Sequence, residues 1–305
     1  MPRPPCAGAL VRHQSGRHWH LCKTHWLNGD EGADEREGNR AAGAGGMKQQ
    51  LLCGISKEQQ AITLLQNHEP SEGYYLAFSG GKDSQVIYDL AVKAKVKFEA
   101  YFNMTTVDSN EVREFIKVNY SNVIWVRPKK SMFQIIEEAG TPPTRIMRFC
   151  CRLLKEMNGN GRTIITGIRS GESVNRSKRN IFEKSTKRKD TWFLHPIFNW
   201  TTTEVWDYIK DNHMEYCSLY DKGKLRIGCI MCPMQGTKEM LKDKEMFPKY
   251  YQAYIRAFDR MLKKRELTGK KPFTHGRTGE EVMYWWIHNA DIDNDTPQSY
   301  LDVSE

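Results

Sequence analysis

From Met47 onward the apolar positions of the chain follow two alternating periods. In "SKEQQAITLLQNH" (56–68), "SQVIYDLAVKAK" (84–95) and "NEVREFIKVNY" (110–120) they recur every three or four residues, the spacing that lines one face of a helix. Between and after these lie short apolar runs: "YYLAF" (74–78), "KFEAYFNM" (97–104), "NVIWVRP" (122–128) and "RTIITGIRS" (162–170). Their β-branched and aromatic content predicts strands. Strands alternating with helical stretches of this length imply a parallel sheet with right-handed crossovers. "TTTEVWDYIKDN" (201–212) predicts a helix with a threonine cap, and beyond about Cys217 the chain turns helical in "KYYQAYIRAFDRMLKKRE" (249–266) and "EEVMYWWIHNA" (280–290).

The same pattern divides the chain. Residues 29–46, rich in glycine, alanine and charge, show no apolar periodicity and read as linker. Residues 1–46 are thus expected to be an extension, 47–215 a nucleotide-binding α/β domain, and 216–305 a cysteine-bearing loop with a helical C-terminal region. Within the extension, Cys22-x-x-His25 has zinc-ligand spacing alongside Cys6, His18 and His20, but no second pair completes it.

Composition narrows the class. With 305 residues, 39% hydrophobic and 27% charged, the sequence is that of a globular protein. No apolar run approaches the roughly 18 residues of a membrane span, so a cytoplasmic location with no membrane partner is expected. Eight cysteines in that setting point to free, metal-bound or catalytic thiols before disulfides. The net charge of +9 favours polyanionic partners, an adenine nucleotide or DNA or RNA.

Two motifs carry chemistry. "FSGGKDSQV" (78–86) follows the first strand and opens a helix. Gly80 and Gly81 let the backbone approach a phosphate, Ser79, Ser84 and the helix-start amides can donate to its oxygens, and Lys82 adds a point charge. Asp83 would orient Lys82 or hold Mg2+. The glycine–lysine spacing is too short for the GxxxxGK[ST] loop. The second motif is "RFCCRLLKE" (148–156), whose adjacent Cys150 and Cys151 cannot both face one core from a helix. With Cys229-x-x-Cys232 they make four soft donors suited to an iron–sulfur cluster, to zinc, or to redox thiols. Arg148, Arg152, Lys155 and Arg226 would offset the negative thiolates.

SGGKDS after a first strand resembles the pyrophosphate loop of the N-type ATP pyrophosphatases. Together with "CCRLLK" (150–155), "TGIRSGES" (166–173), "HPIFNWTTTEVWDYI" (195–209) and "LYDKGKLRIGCIMCP" (219–233), it makes the chain similar to the phosphoadenosine phosphosulfate reductase family. The resemblance runs from about Tyr74 to Pro233. It implies an adenine nucleotide alpha hydrolase-like α/β domain with a parallel sheet, and a [4Fe-4S] cluster on Cys150, Cys151, Cys229 and Cys232. It also places Lys155 on the substrate's anionic group, and Arg169 and Glu172 beside the nucleotide, with Arg169 on a phosphate. His195 is expected to be a structural strand-end residue, and Trp200 and Trp206 to be packing.

Two departures shape the functional expectation. Sulfonucleotide reductases attack the substrate's sulfur with a cysteine near the C-terminus, whereas no cysteine follows Cys232 here. The loop, degraded in those reductases, is intact. The expectation is therefore an adenylating sulfur-transfer enzyme that uses ATP and Mg2+, resembling the branch that puts sulfur into the DNA backbone, with a sulfur donor such as a cysteine desulfurase as partner. The alternatives are a sulfonucleotide reductase with an external thiol, and a non-enzymatic nucleic-acid binder with a structural metal. "RSKRNIFEKSTKRK" (176–189), with seven basic residues against one acidic, could track phosphates or cover the active site.

Overall fold

The computed structural model describes residues 54–289, so the expected linker and the Cys22–His25 spacing lie outside the described residues. The order is α1 (Lys57–Asn67), β1 (Tyr74–Phe78), α2 (Lys82–Ala94), β2 (Phe98–Asn103), α3 (Asn110–Asn119), β3 (Ile124–Val126), α4 (Met132–Ala139), α5 (Phe149–Leu154), β4 (Thr163–Ile165), α6 (Val174–Ser177), β5 (Phe182–Lys184), β6 (Trp192–Leu194), α7 (Thr202–Asp211), α8 (Thr237–Met246), α9 (Pro248–Leu267) and α10 (Gly279–His288). Side-chain caps fix several starts, because each helix leaves its first amides without intrahelical partners. Ser56, Ser109 and Thr278 each accept from an amide three residues on, and Ser131 with Gln134 and Thr201 with Glu204 form capping boxes.

The strands form one six-stranded sheet in the order β3-β2-β1-β4-β6-β5, with every pairing parallel except the β5–β6 edge. The chain leaves β1 for β2 on one side and later returns to place β4 on the other. The C-terminal ends of β1 and β4 therefore flank the crevice where strand order reverses, the usual ligand position in open α/β sheets. The expected strand over 162–170 contracts to three residues at β4, and residues 166–169 run as loop to a short turn at Ser170–Glu172.

Two apolar cores lie in the described region. One packs α1, α2 and α3 against β1 and β2, with Tyr74, Leu76, Ile87, Leu90 and Ile116 buried. The other joins α9 and α10 to α4 and α5 through Ile136, Leu154, Tyr254, Phe258 and Trp286. The helical region beyond residue 216 thus shares its core with helices from the α/β half. No helix among the described residues is long and apolar enough to cross a membrane.

Candidate functional site

The loop between β1 and α2 is folded by its own hydroxyls. Ser79 Oγ donates to Ser84 Oγ at 3.2 Å, and Ser84 Oγ donates to the Gly81 carbonyl at 2.8 Å. Gly80 turns the chain at φ +73, and a Cβ there would stand 3.0 Å from Ile116 of α3. Only glycine meets both conditions. The Lys82 amide in the first turn of α2 donates to the Tyr220 hydroxyl at 2.9 Å.

The ion pairs around this loop differ from the simplest expectation. Lys82, almost fully buried, reaches the Asp83 carboxylate at 3.0 Å. The other Asp83 oxygen accepts from Arg169 Nε at 2.7 Å, and Arg169 also donates to the Trp200 carbonyl and Thr202 Oγ1. Arg169 is thus a buried strut between the loops after β1 and β4, with its Nε and Nη1 donors engaged by protein. Gly167 permits that approach, since a Cβ there would fall 2.9 Å from Asp83 Cβ. Glu172 accepts from the Arg169 amide at 2.8 Å and pairs with Arg176, facing back into the turn.

The four cysteines are brought to one place by α5 and by the 219–233 segment. Cys150 is buried; Cys151, Cys229 and Cys232 are partly so. Cys150 donates its thiol hydrogen bond to Cys151, which raises its own pKa and lowers that of Cys151, where Lys155 and Arg148 add to the lowering. Burial and the nearby Cys229 push Cys232 up to about 11. Lys155, accessible to solvent yet facing Cys229, Asp108, Cys232 and Cys151, has its ammonium form stabilised. Arg226 acts on Cys232.

The CxxC turn is held at both of its central residues. The Ile230 amide donates to the Val107 carbonyl at 2.9 Å, and its carbonyl accepts from Tyr254 OH at 3.2 Å. Met231 adopts φ +60, a left-handed conformation costly for a side-chain-bearing residue. Its amide donates to Asp243 Oδ2 at 2.8 Å, while Lys224 Nζ reaches Asp243 Oδ1 at 2.9 Å and Gln235 also donates to the carboxylate. Arg145 holds the chain just beyond, at the Pro233 and Met234 carbonyls. Among the described residues, no three His, Cys, Asp or Glu side chains stand close enough to hold one metal ion. By donor chemistry the four grouped thiols suit either an iron–sulfur cluster or zinc.

Sequence reasoning missed Tyr220, Asp243 and Asp108, whose carboxylate accepts from both the amide and the hydroxyl of Thr105. Tyr220 sat inside a quoted motif, but nothing in the sequence says that it reaches α2. His195 is wholly buried just after β6, with Nδ1 2.7 Å from Thr166 Oγ1. In the basic stretch, Arg176 pairs with Glu172, Arg179 with Glu183, and Arg188 binds the Glu156 and Asn158 carbonyls beyond α5.

Comparison with known proteins places this arrangement. The chain is 34% identical to an uncharacterised protein of Methanocaldococcus jannaschii over 59% of its length and 46% of the relative's, and 31% identical to a second from that organism over 69% and 47%. It therefore spans about half the length of these two relatives. An adenosine 5'-phosphosulfate reductase of Oceanobacillus iheyensis is 30% identical, over 52% of this chain and 70% of that one. Among solved structures, the phosphoadenylyl-sulfate reductase of Candida auris in its phosphate complex aligns with TM-score 0.44 and 20% identity, over 57% of this chain and 88% of that one. The family model for the phosphoadenosine phosphosulfate reductase domain matches residues 73–235, from the start of β1 through both cysteine pairs, and the chain belongs to that family.

Proposed function

We propose that the chain is an ATP-dependent, adenylating sulfur-transfer enzyme. The observation that carries this reading is the intact loop at the strand-order reversal, where Gly80 and Gly81 lead the chain into the first-turn amides of α2. Such donors stabilise a departing pyrophosphate as negative charge develops on its oxygens. An acceptor oxygen would attack the α-phosphorus of ATP, the α–β phosphoanhydride bond would break, and pyrophosphate would leave into the loop. A sulfur nucleophile would then displace AMP from the acceptor. Lys82 sets charge beside the loop, Asp83 holds Lys82 and could share a Mg2+ ion, and Lys155 stands solvent-accessible between loop 104–109 and the thiols to meet an anionic group.

Cys150, Cys151, Cys229 and Cys232 fit a [4Fe-4S] cluster by donor chemistry and grouping, and such a cluster supplies one-electron redox capacity at the sulfur-transfer end of the site. A donor such as a cysteine desulfurase would deliver the sulfur, and DNA or RNA is a candidate acceptor. A second reading, a sulfonucleotide reductase using an external thiol, is favoured by the 30% identity to an adenosine 5'-phosphosulfate reductase. Product analysis separates the two. Formation of AMP and pyrophosphate from ATP, lost in Lys82→Ala, supports the first; sulfite release from adenosine 5'-phosphosulfate with no cleavage of ATP overturns it.

A further inference from the structure

We propose that Tyr220 is a phosphate-binding residue of the loop, lending its hydroxyl proton to the nucleotide's phosphate oxygens. The inference rests on the loop reading above and adds a residue from outside the loop. The hydroxyl protons of the loop are already committed: Ser84 donates to the Gly81 carbonyl and Ser79 donates to Ser84. Tyr220 differs. Its oxygen accepts from the Lys82 amide at 2.9 Å, and among the described residues its own proton has no acceptor.

Position supports the assignment. A Cβ built on Gly81 would lie 3.4 Å from Ser79 Oγ and 3.5 Å from Tyr220 OH, so the two hydroxyls lie against the same face of Gly81. A phosphate oxygen reaching that face would meet the phenol. The ring is set by edge-to-face packing on Trp206, with centroids 4.8 Å apart. Burial, with the Asp83 charge nearby, raises the phenol's pKa and keeps the proton in place.

Tyr220 also begins the segment that carries Cys229 and Cys232, and Ile227 of that segment packs against Gly81. A phosphate held by Tyr220 would therefore be registered against the CxxC turn by a stretch of twelve residues, 220–231, pinned at its far end by Asp243.

The test is titration of the full chain with inorganic pyrophosphate, ATP with magnesium, and adenosine. The proteins compared are wild type, Tyr220→Phe and Gly81→Ala. Tyr220→Phe keeps the ring and its Trp206 contact, and Gly81→Ala adds a methyl group at ordinary contact distances with φ −83. The expected result for Tyr220→Phe is about tenfold weaker pyrophosphate and ATP binding, as loss of one hydrogen bond to a charged group predicts, with unchanged adenosine binding and a modestly lower melting temperature because the Lys82 amide loses its acceptor. Gly81→Ala should lose pyrophosphate binding altogether. Wild-type affinity in Tyr220→Phe with loss in Gly81→Ala would overturn the Tyr220 assignment and leave the loop reading standing. Tighter binding in Tyr220→Phe would show that the phenol competes for the Lys82 amide, and would also overturn it. Equal pyrophosphate affinity in wild type and Gly81→Ala, or none in either, would remove the loop reading and the inference together.

Discussion

Asp83 and Arg169 meet at 2.7 Å across the strand-order reversal, joining the loop after β1 to the loop after β4. The contact turns two residues expected beside a nucleotide into part of one scaffold. Arg169 is 5% exposed and its guanidinium also binds the Trp200 carbonyl and Thr202, so removing it leaves Asp83 with Lys82 alone and frees two further acceptors.

Arg169→Ala is therefore expected to destabilise the protein by about 2 kcal/mol, below the range for fully buried pairs because Asp83 keeps some solvent contact. Arg169→Lys should recover little, since one ammonium cannot serve three directions. Urea denaturation checks both. Unchanged stability with weakened nucleotide binding would return Arg169 to a phosphate.

Asp243 is 1% exposed and holds the left-handed Met231 between two of the proposed cluster ligands. Anaerobically purified wild type should carry about four irons per chain with matching sulfide. Asp243→Ala should carry less than half of that and show faster alkylation of Cys229 and Cys232 in the metal-free protein, because the turn is no longer fixed. Asp243→Asn, which keeps an acceptor for the Met231 amide, should fall between. Full iron loading in the alanine variant would deny Asp243 this role.

In the basic stretch, Lys178, Lys187 and Lys189 have no ion-pair partner among the described residues, whereas Arg176 and Arg179 pair with glutamates and Arg188 with backbone. If this edge tracks a phosphate backbone, the three lysines set its salt dependence. Their replacement by Gln should flatten the log–log slope of DNA affinity against salt by roughly 2 to 3. A slope unmoved by those changes would take this hairpin off the DNA path.

His195 gives a pH prediction. Burial, reinforced by Arg179 and opposed by Glu183, lowers its pKa to about 4. The unfolded chain binds a proton near pH 6.5 that the folded chain refuses, so stability rises with pH between about 4 and 6.5 and is lost as pH falls through that window. Wild type should lose more stability than His195→Asn on going from pH 7 to pH 5. Equal losses would show that His195 is not held neutral.

Much of this fold was legible because several helices carry both a periodic apolar face and a side-chain cap. β1 was read at its true limits, and α3 and α7 within a residue or two at each end. β5 and β6 were not, since three residues are too few to show a period. α4 carried a legible Ser131–Gln134 capping box that periodicity alone did not flag. Of the site, the loop and the cysteines were visible as motifs. The roles of Tyr220 and Asp243 were not, because each is defined by a partner brought in by tertiary folding: the Lys82 amide for one, the Met231 amide for the other. Nor could sequence show Thr106 at φ +66, a β-branched residue held left-handed where its hydroxyl caps Met132 at the start of α4.

The most direct measurement of the central claim is a calorimetric competition between ATP with magnesium and adenosine 5'-phosphosulfate on anaerobically purified protein. Charge-assisted hydrogen bonds are worth about 1.5–3 kcal/mol each, so a loop built for pyrophosphate should favour ATP by tenfold or more. Asp83→Ala, which frees Lys82, should erase most of that preference. Tighter binding of adenosine 5'-phosphosulfate, unaffected by Asp83→Ala, would contradict the account and assign the chain to sulfonucleotide reduction.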